Sequence, residues 1–330
     1  MKKIAVIGGD GIGPEVVSCA VRLIENLDVD LEFIPAEMGL ECYRKTGSFI
    51  PDATMDALEQ SDACLFGAVT TSLEEKKGPS ILFLRKHFDL YANVRPVKRL
   101  HPSVGLVDLD VVIVRENTEG MYTGIEHADT DGVTLERRVS EKASRRIVRF
   151  ALRLCKDEKR RRLTCVHKAN AMRMSDGLFR RVFFEEASNS DIESREMLVD
   201  AAAAALVLRP KDLDCIVTLN LYGDILSDEA AALVGGLGFG PSGNIGDRYA
   251  IFEPSHGSAP DIAGTGTANP IAAILSGAMM LRYLGEYVQA SRIEKVVRLG
   301  LSRGVKTIDV GGTYKTATFT DALIGMLDEV

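Results

Sequence analysis

Two aspartates in the segment NLYGDILSDEAA (residues 220–231) have the spacing of a paired carboxylate site. Asp224 and Asp228 are four residues apart, so a helix would place both on one face, where like charges repel. A divalent cation between them would remove the repulsion, because hard cations take carboxylate oxygens as ligands. The alternative is a solvated face near a helix N-terminus, where aspartate is favoured in any case. The pair alone leaves both interpretations open.

Other reactive side chains follow apolar, strand-like runs. Arg115 ends the run DVVIVR and precedes Tyr122, Lys168 follows LTCVH, and Arg85 and Arg95 lie in LRKHFDLYANVRP. Ligands of open α/β sheets bind beyond the carboxyl ends of strands. Arginine binds carboxylates in a bidentate manner, and lysine or tyrosine can act as a general base or acid. Each residue alone could be structural, but together they predict a site for a small hydroxy acid with two or more carboxylates and Mg²⁺ or Mn²⁺.

Two segments could bind a further ligand. FEPSHGSAPDIAGTGTANP (residues 252–270) is a long loop by composition, either a ligand-binding loop or a structural Ω-loop. The N-terminal GGDGIGPE is not a Rossmann fingerprint, because Gly9, Gly11 and Gly13 form GxGxG and Pro14 replaces the third glycine of GxGxxG. Its glycines still predict a tight strand-to-helix turn that a ligand could approach. No GxxxxGK[ST] motif occurs, which excludes a P-loop nucleotide hydrolase.

Composition excludes several functional classes. The 330 residues are 46% hydrophobic and 26% charged with a net charge of −7, a globular balance that argues against nucleic-acid binding. The one strong basic cluster, KDEKRRR (residues 156–162), is predicted to be a solvated loop. No apolar run is long enough for a membrane span or a signal peptide core. Six scattered cysteines predict buried free thiols and a cytoplasmic protein.

Short apolar runs alternate with longer amphipathic stretches, and these elements must position the polar residues. The predicted strands are KIAVIG, ACLFGAV, DVVIVRE, LTCVHKA and CIVTLNL. The predicted helices are PEVVSCAVRLIENL, SRRIVRFALRLC, SDGLFRRVFFEEA and IAAILSGAMMLRYLGE. This alternation predicts an α/β chain with a largely parallel sheet.

Seven segments together resemble the β-decarboxylating dehydrogenases of (2R)-hydroxy acids, the family of 3-isopropylmalate, isocitrate, homoisocitrate and tartrate dehydrogenases. They are GGDGIGPEV, LYANVRPVK, VIVRENTEGMY, HKANAMRMSDGLF, NLYGDILSDEAA, GGLGFGPSGNIGD and HGSAPDIAGTGTANP, in family order over almost the whole chain. The resemblance implies an isopropylmalate dehydrogenase-like α/β fold with a large, mostly parallel sheet and a non-Rossmann NAD site. It also implies a discontinuous NAD-binding domain (1–94 plus 237–330) and a metal, substrate and dimerisation domain (95–236).

The resemblance assigns substrate-binding and catalytic roles to five residues. Arg85, Arg95 and Arg115 are similar to the three arginines that bind the malate carboxylates. Tyr122 is similar to the acid that protonates the product enolate. Lys168 is similar to the lysine that assists proton removal from the C2 hydroxyl, reaching in from the partner subunit. The implied assembly is a homodimer with shared active sites, or a tetramer.

The resemblance also implies a metal and a nucleotide. Asp224 and Asp228 are similar to ligands of Mg²⁺ or Mn²⁺, with Asp200 supplied across the dimer. Asp261 is similar to the acidic residue that accepts the ribose hydroxyls and repels a 2′-phosphate, so the implied cofactor is NAD. The residues implied to contact NAD are Ile12, His256, Gly257, Ser258, Ala259, Pro260, Asp261 and Asn269.

The segment GPSILFLRK before Arg85 bears on the substrate. Isocitrate enzymes present Ser and Asn about one turn upstream of this arginine, where this chain has Pro79 and Ile81. Ile81 and Leu82 fall on the helical face of Arg85 and would form an apolar pocket, where a carboxylate would stay unpaired. An isopropyl group suits that pocket. This favours oxidative decarboxylation of 3-isopropylmalate to 2-oxoisocaproate, a step of leucine biosynthesis.

Two alternatives remain open. The segments GIEH and HKANAMRMSDGLF resemble isocitrate dehydrogenases, Gly78 replaces a glutamate common in isopropylmalate enzymes, and Ser80 could bind a carboxylate. Homoisocitrate or isocitrate is therefore the second substrate hypothesis. The family also includes noncatalytic regulatory subunits, but such chains typically lose Tyr122, Lys168 or a metal-binding aspartate, and all are present here. A metal-dependent binding protein without turnover is the remaining class.

Overall fold

The computed structural model describes residues 1–70 and 81–330. The strands of this part of the chain are β1 (Lys2–Gly9), β2 (Leu31–Ala36), β3 (Ala63–Ala68), β4 (Ala92–Lys98), β5 (Asp110–Glu116), β6 (Glu126–Ala128), β7 (Val133–Leu135), β8 (Arg162–His167), β9 (Glu193–Leu198), β10 (Cys215–Thr218), β11 (Pro241–Ile245) and β12 (Ala250–Pro254). The α-helices are α1 (Gly13–Glu25), α2 (Leu40–Thr46), α3 (Asp52–Glu59), α4 (Ile81–His87), α5 (Glu141–Asp157), α6 (Ser175–Ala187), α7 (Val199–Leu208), α8 (Asn220–Val234), α9 (Ile271–Tyr283), α10 (Tyr287–Ser302) and α11 (Thr316–Ile324).

One large sheet organises the described chain, in the strand order β2-β1-β3-β12-β11-β4-β5-β10-β8-β9. Pairing is parallel in β2-β1-β3-β12 and in β5-β10-β8-β9. The centre, β12-β11-β4-β5, is antiparallel. The prediction of an α/β fold with a large, mostly parallel sheet is confirmed, whereas the antiparallel centre was not predicted.

The two parallel halves come from different parts of the chain. One half is built from the first 70 residues together with β12, and the other half from β5, β8, β9 and β10. Between them, β11 and β4 pair directly, with Asn244 opposite Asn93. The centre of the sheet therefore joins the two halves, and side chains on its faces can contact both.

Local sequence explains most of these elements. β3 and β10 are continuous apolar runs and are buried on both faces, as strands in covered parallel sheets are. α1 has its proline in the first turn, and α5 begins after Ser140, whose hydroxyl accepts a hydrogen bond of 3.2 Å from the Ala143 N–H. The predicted strand CIVTLNL was too long, because β10 ends at Thr218 and helix α8 begins at Asn220.

Two peripheral predictions also have outcomes. All six cysteines are buried and free, as predicted. The basic cluster is only partly a solvated loop, because Arg160 is mostly buried and forms ion pairs with Asp110 (2.8 Å) and Asp214 (3.2 Å). Helices in the described ranges all fall short of the length and apolarity needed to cross a membrane.

Candidate active site

The aspartate pair lies on a helix, and the positive group between its members is an arginine. Asp224 and Asp228 are one turn apart on α8. The Arg95 guanidinium, projecting from β4, donates from Nη1 to Asp228 Oδ1 at 3.0 Å, and its Nη2 lies 3.3 Å from Asp224 Oδ1. Arg95 Nη1 also donates to Ser227 Oγ at 2.7 Å. The chain therefore offsets the repulsion between these carboxylates with a buried cation.

Arg115 enters the same cluster from β5. Its Nε and Nη2 donate to Asn220 Oδ1 at 3.0 and 2.7 Å, and its Nη1 donates to Asp224 Oδ1. Burial, reinforced by the positive charge of Arg95, lowers the pKa of Arg115 to about 10 even though Asp224 opposes the shift. A side chain at Gly223 would meet the Arg115 side chain at 2.7 Å, so glycine allows α8 to lie against β5 here.

Tyr122 completes the cluster from the loop after β5. Its hydroxyl donates to Asp224 Oδ2 at 2.8 Å, and its ring centroid lies 5.4 Å from the Arg115 guanidinium carbon. Burial raises the pKa of Tyr122, and the hydrogen bond and charge of Asp224 raise it further. A tyrosine is already protonated at neutral pH, and the raised pKa keeps the phenol in the proton-donor form to a higher pH.

The two carboxylates of the pair have opposite electrostatic environments. Burial alone would raise the pKa of Asp224, but Arg115 and Arg95 outweigh burial and lower it. Burial, with a further contribution from the Asp224 charge, raises the pKa of Asp228. Within the described ranges Asp228 is paired only through Oδ1, and its second oxygen has no hydrogen bond or ion pair. An unpaired oxygen on this half-exposed side chain, beside Asp224, fits a hard divalent cation.

Arg85 lies on α4 and is held by a buried glutamate. Its Nη2 donates to Glu253 Oε1 at 3.2 Å, while its Nε is buried without a partner in the described part of the chain. Ile81 and Leu82 are half-buried one turn earlier, and Ile81 packs against a hydrophobic cluster that includes Leu84. The segment that bears most on the substrate, with Gly78, Pro79 and Ser80, lies outside the described residues.

Lys168 and Asp200 form a separate ion pair. Lys168 Nζ donates to Asp200 Oδ1, and Asp200 is 63% exposed, so its carboxylate remains accessible. The backbone N–H of Lys168 donates to the fully buried Asp176 at 2.7 Å, and Asp176 also pairs with Arg137 at 2.6 Å. Residues 1–70 and 81–330 contain no group of three acidic, histidine or cysteine side chains arranged to hold a metal ion. Asp200 thus does not join Asp224 and Asp228 within one chain.

The predicted nucleotide residues meet at the carboxyl ends of the adjacent strands β1, β3 and β12. The Ile12 N–H donates to the Ser258 carbonyl at 2.8 Å, and Thr70 Oγ1 donates to Ser258 Oγ at 2.9 Å. Asp10 accepts from the Thr70 N–H at 2.8 Å. A side chain at Gly11, which has φ +59°, would meet the Ser258 carbonyl at 1.9 Å, so only glycine permits this contact.

The rest of the loop presents polar groups beside these contacts. His256 has a buried Nε2 without a partner in the described ranges, and burial lowers its pKa, so the ring is neutral. Ala259 has φ +39°, and an exposed 3₁₀ turn follows it at Pro260–Ile262, carrying Asp261. Asn269 donates to Asp309 at 3.0 Å and accepts from the Ile271 N–H at 3.0 Å. An unpaired imidazole nitrogen and an exposed carboxylate fit an adenosine.

Several residues of these clusters were missed by reasoning from the sequence. Asn220 and Ser227 bind the arginines on α8, Glu253 holds Arg85, and Asp10 ties the loops after β1 and β3 together. A single buried asparagine is not part of any sequence periodicity or motif spacing that would identify it. Asn93, two residues before Arg95 and therefore on the same face of β4, was the one position that strand alternation could have identified.

Comparisons with known proteins match almost the whole chain to one family. The family model described as isocitrate/isopropylmalate dehydrogenase matches residues 3–323. The chain is 47% identical to the 3-isopropylmalate/3-methylmalate dehydrogenase of Methanocaldococcus jannaschii, over 96% of each chain. It is 48% identical to the isocitrate/homoisocitrate dehydrogenase of Thermus thermophilus, over 98% of each chain. The crystal structure of isocitrate dehydrogenase from Methylococcus capsulatus has a TM-score of 0.96 at 40% identity, covering 99% of each chain.

Proposed function

The chain belongs to the isocitrate/isopropylmalate dehydrogenase family, and on that premise we propose that this enzyme is an NAD-dependent, metal-assisted 3-isopropylmalate dehydrogenase. It would convert 3-isopropylmalate to 2-oxoisocaproate and CO₂, a step of leucine biosynthesis. The observation that carries the proposal is the buried cluster in which Arg95, Arg115 and Tyr122 surround Asp224. Two guanidinium groups, one protonated phenol and a carboxylate are the groups that binding and decarboxylating a hydroxy dicarboxylate requires.

The arginines would bind the substrate carboxylates. Arg95 and Arg115 are buried and paired with Asp224. The Nε of Arg85 is a buried donor without an acceptor in the described part of the chain. A buried donor without a partner has a desolvation cost. A carboxylate that binds Arg85 would form a hydrogen bond and also remove that cost. The half-buried Ile81 and Leu82, on the same helix as Arg85, support an alkyl substituent on the substrate rather than a third carboxylate.

The chain's own residues would move the two protons. Lys168 would assist removal of the C2 hydroxyl proton, and Tyr122 would donate its hydroxyl proton to the enolate carbon after CO₂ leaves. The raised pKa of Tyr122 keeps it in the donor form until that step. Bound NAD⁺ would supply the hydride acceptor, and a divalent cation held by Asp224, Asp228 and Asp200 would supply positive charge beside the developing enolate. The buried arginines hold the carboxylates while these protons move.

A homodimer with shared sites would bring Lys168 and Asp200 to the cluster. Within one chain they pair with each other and do not reach Asp224. Leu208 and Ile225, on α7 and α8, are 76% and 58% exposed, which suits burial between two copies. The two-stranded β6–β7 arm is exposed throughout and stands apart from the main sheet. These features support a dimer whose halves complete each other's sites. In this proposal NAD is bound by the domain 1–94 plus 237–330, and the metal and substrate by the domain 95–236.

Homoisocitrate or isocitrate is the second candidate substrate. The relative from Thermus thermophilus is named an isocitrate/homoisocitrate dehydrogenase and is as similar to this chain as the isopropylmalate enzymes are. A third carboxylate would need a cation or several donors near Ile81. The two hypotheses share the cluster, so a substrate comparison separates them.

The test is NADH formation by the purified protein with NAD⁺ and Mn²⁺ or Mg²⁺. 3-Isopropylmalate, homoisocitrate, isocitrate and malate are assayed in parallel, each with an EDTA control and an NADP⁺ control. We expect EDTA-sensitive turnover that is fastest with 3-isopropylmalate and NAD⁺. Faster turnover of a tricarboxylate would refute the substrate assignment while leaving the roles of the arginines and Tyr122 intact. No turnover with any of these substrates would contradict the proposed function.

A further inference from the structure

Two fully buried asparagines lie opposite each other at the antiparallel centre of the sheet. Asn93 on β4 and Asn244 on β11 are both 0% exposed and form a direct cross-strand pair. Asn93 Nδ2 donates to Asn244 Oδ1 at 3.0 Å. Buried amides are costly unless every donor and acceptor is used, and apolar pairs would stabilise a sheet equally well. The pair therefore needs an explanation beyond the stability of the sheet.

The amide pair connects two of the candidate substrate arginines. Arg95 Nε donates to Asn93 Oδ1 at 2.7 Å. On the other side, Asn244 Nδ2 donates to Glu253 Oε1 at 2.7 Å, and the same oxygen accepts from Arg85 Nη2 at 3.2 Å. We call these five residues, Arg95, Asn93, Asn244, Glu253 and Arg85, the arginine relay. It crosses three adjacent strands and reaches α4.

From Arg95 to Glu253, every hydrogen bond of the relay runs in the same donor-to-acceptor direction. Arg95 can only donate, so Asn93 must present its oxygen to Arg95 and its amide hydrogens to Asn244. Asn244 must then present its own hydrogens to the carboxylate of Glu253. Rotating either amide by half a turn would make its NH₂ group face another donor on one side. On the other side its oxygen would face another acceptor oxygen. The amide orientations are therefore fixed from both ends, and with them the lateral position of each arginine.

Apart from this relay, no described residue hydrogen-bonds to both arginines. The remaining contacts of Arg95 are to α8, at Ser227, Asp224 and Asp228. Arg85 contacts Glu253. The hydrogen-bonded path that sets the separation of the two guanidinium groups therefore runs through strands β4, β11 and β12 and the amides between them.

We propose that Asn93 and Asn244 are positioning residues that hold Arg85 and Arg95 at the spacing required to bind one dicarboxylate together. The inference rests on the proposed function, since it takes both arginines as substrate ligands. Neither asparagine touches the substrate. Their effect is on how well two fixed guanidinium groups match two carboxylates, and a displacement of either group weakens both contacts.

The test compares Asn93→Ala with a matched control at Asn117. Asn117 is also buried and donates to the same Asn244 oxygen at 3.0 Å, with a second bond of 3.0 Å to the Leu90 carbonyl. It lies outside the path between the arginines. Asn93→Ala is expected to raise the KM for the hydroxy acid about 10- to 100-fold, the equivalent of a lost hydrogen bond to a charged group. The KM for NAD⁺ and kcat should each stay within about fivefold of wild type, because only binding of the hydroxy acid is impaired.

Asn117→Ala is expected to lower thermal stability to a similar degree while the KM for the hydroxy acid stays within about twofold of wild type. Asn93→Asp is the second relay variant, because it keeps the shape and the acceptor for Arg95 but not the amide donor to Asn244. It should also raise the KM for the hydroxy acid. Equal KM changes in the Asn93 and Asn117 variants, or unchanged KM in both folded Asn93 variants, would overturn the inference.

A binding measurement separates this inference from the proposed function. Calorimetric titration with malate in the presence of Mn²⁺ reports dicarboxylate binding without turnover. If no substrate is turned over but Asn93→Ala still weakens malate binding about tenfold, the relay stands and the proposed activity falls. If the wild-type protein turns over its substrate and Asn93→Ala binds malate as tightly as wild type, the relay is refuted and the activity stands. Wild-type protein that neither turns over any substrate nor binds malate would refute both.

Discussion

The arginine–aspartate cluster (Arg95, Arg115, Tyr122, Asp224 and Asp228) and the Lys168–Asp200 pair are built in opposite ways. In the cluster the cations are buried and each is held by two or more partners. In the pair one lysine meets one aspartate that is 63% exposed. Both groups carry residues expected to be catalytic or metal-binding.

The difference shows which part of the site a single chain can complete. A buried charge must have its partners in the same folded unit, because leaving it unpaired costs several kcal/mol. An exposed ion pair contributes little to folding and can exchange its partner for another at small cost. The cluster is therefore expected to be preorganised in the monomer. The pair is expected to act only after it meets a second copy of the chain.

Asp224→Asn should show the largest effect, because it removes the shared anion of the cluster. We expect turnover to fall by about 1,000-fold, as for loss of a central electrostatic group. Without metal, the free energy of unfolding should fall by about 2–3 kcal/mol, the cost of breaking a buried pair discounted for the 34% exposure of Asp224. Steady-state kinetics and urea unfolding in EDTA measure the two quantities.

Asp200→Asn is the matched control for that comparison. It should reduce turnover strongly, because a proposed metal ligand is lost, yet leave the free energy of unfolding unchanged within error, because the carboxylate is exposed. Equal losses of stability in the two variants would contradict the distinction between a preorganised cluster and an exposed pair.

Mixing two inactive variants tests whether the pair serves the partner's cluster. Lys168→Met and Tyr122→Phe should each lose about 100- to 10,000-fold in turnover, as for loss of a general acid or base. If sites are shared, each mixed dimer has one intact site, so unfolding and refolding an equal mixture should restore about a quarter of wild-type activity. Refolded single variants are the controls. A mixture no more active than its components would show that Lys168 acts within its own chain.

Asp228→Asn should have a smaller effect on stability, and of opposite sign to Asp224→Asn. Because the folded pKa of Asp228 is raised, its stabilising contribution is present only below the unfolded pKa and is lost as the pH rises through the folded value. Without metal at neutral pH, the neutral amide should therefore raise the melting temperature, by at most about 2 °C because the side chain is half exposed.

The pH and metal dependence sharpen this prediction. The pKa of Asp224 is lowered, so its contribution is present above the unfolded pKa and lost as the pH falls through the folded value. The two variants should thus converge with wild type in strong acid. Saturating Mn²⁺ should stabilise wild type, by about 2.7 kcal/mol at a hundredfold excess over Kd, and should not stabilise Asp228→Asn. Calorimetric scans with and without Mn²⁺ measure this stabilisation. Equal stabilisation of wild type and Asp228→Asn would exclude Asp228 as a ligand.

Ile81→Ala should give the smallest effect and tests the substrate rather than the cluster. We expect kcat/KM for 3-isopropylmalate to fall about 3- to 30-fold relative to malate, since a few methyl groups in an apolar pocket are worth little more. Ile81 also packs against the cluster around Leu84, as Ile50 does. Ile50→Ala is therefore the control, with a similar loss of stability and an unchanged substrate ratio. An unchanged ratio in Ile81→Ala would remove Ile81 from the pocket.

Reasoning from the sequence identified the chemistry better than the geometry. Asp224, Asp228 and Arg115 were recognisable because each follows a strand or lies at helical spacing. Asn244 and Glu253 were not, because a buried polar residue inside an apolar strand has meaning only once its partners are known. The antiparallel centre was also missed, because the local sequences of β4 and β11 do not indicate that these strands pair. They are more than a hundred residues apart in the chain.

The sequence by itself determined the α/β class, the helical face shared by Asp224 and Asp228, and the residue types a hydroxy-acid site needs. Periodicity and spacing are local properties, and they can be read directly from the amino-acid sequence. The tertiary structure decided that Arg95 bridges the two carboxylates, that the Tyr122 hydroxyl donates to Asp224, and that Lys168 and Asp200 stay apart from the cluster. Those outcomes depend on burial and on pairs of charges brought together from distant segments, which only the folded chain defines.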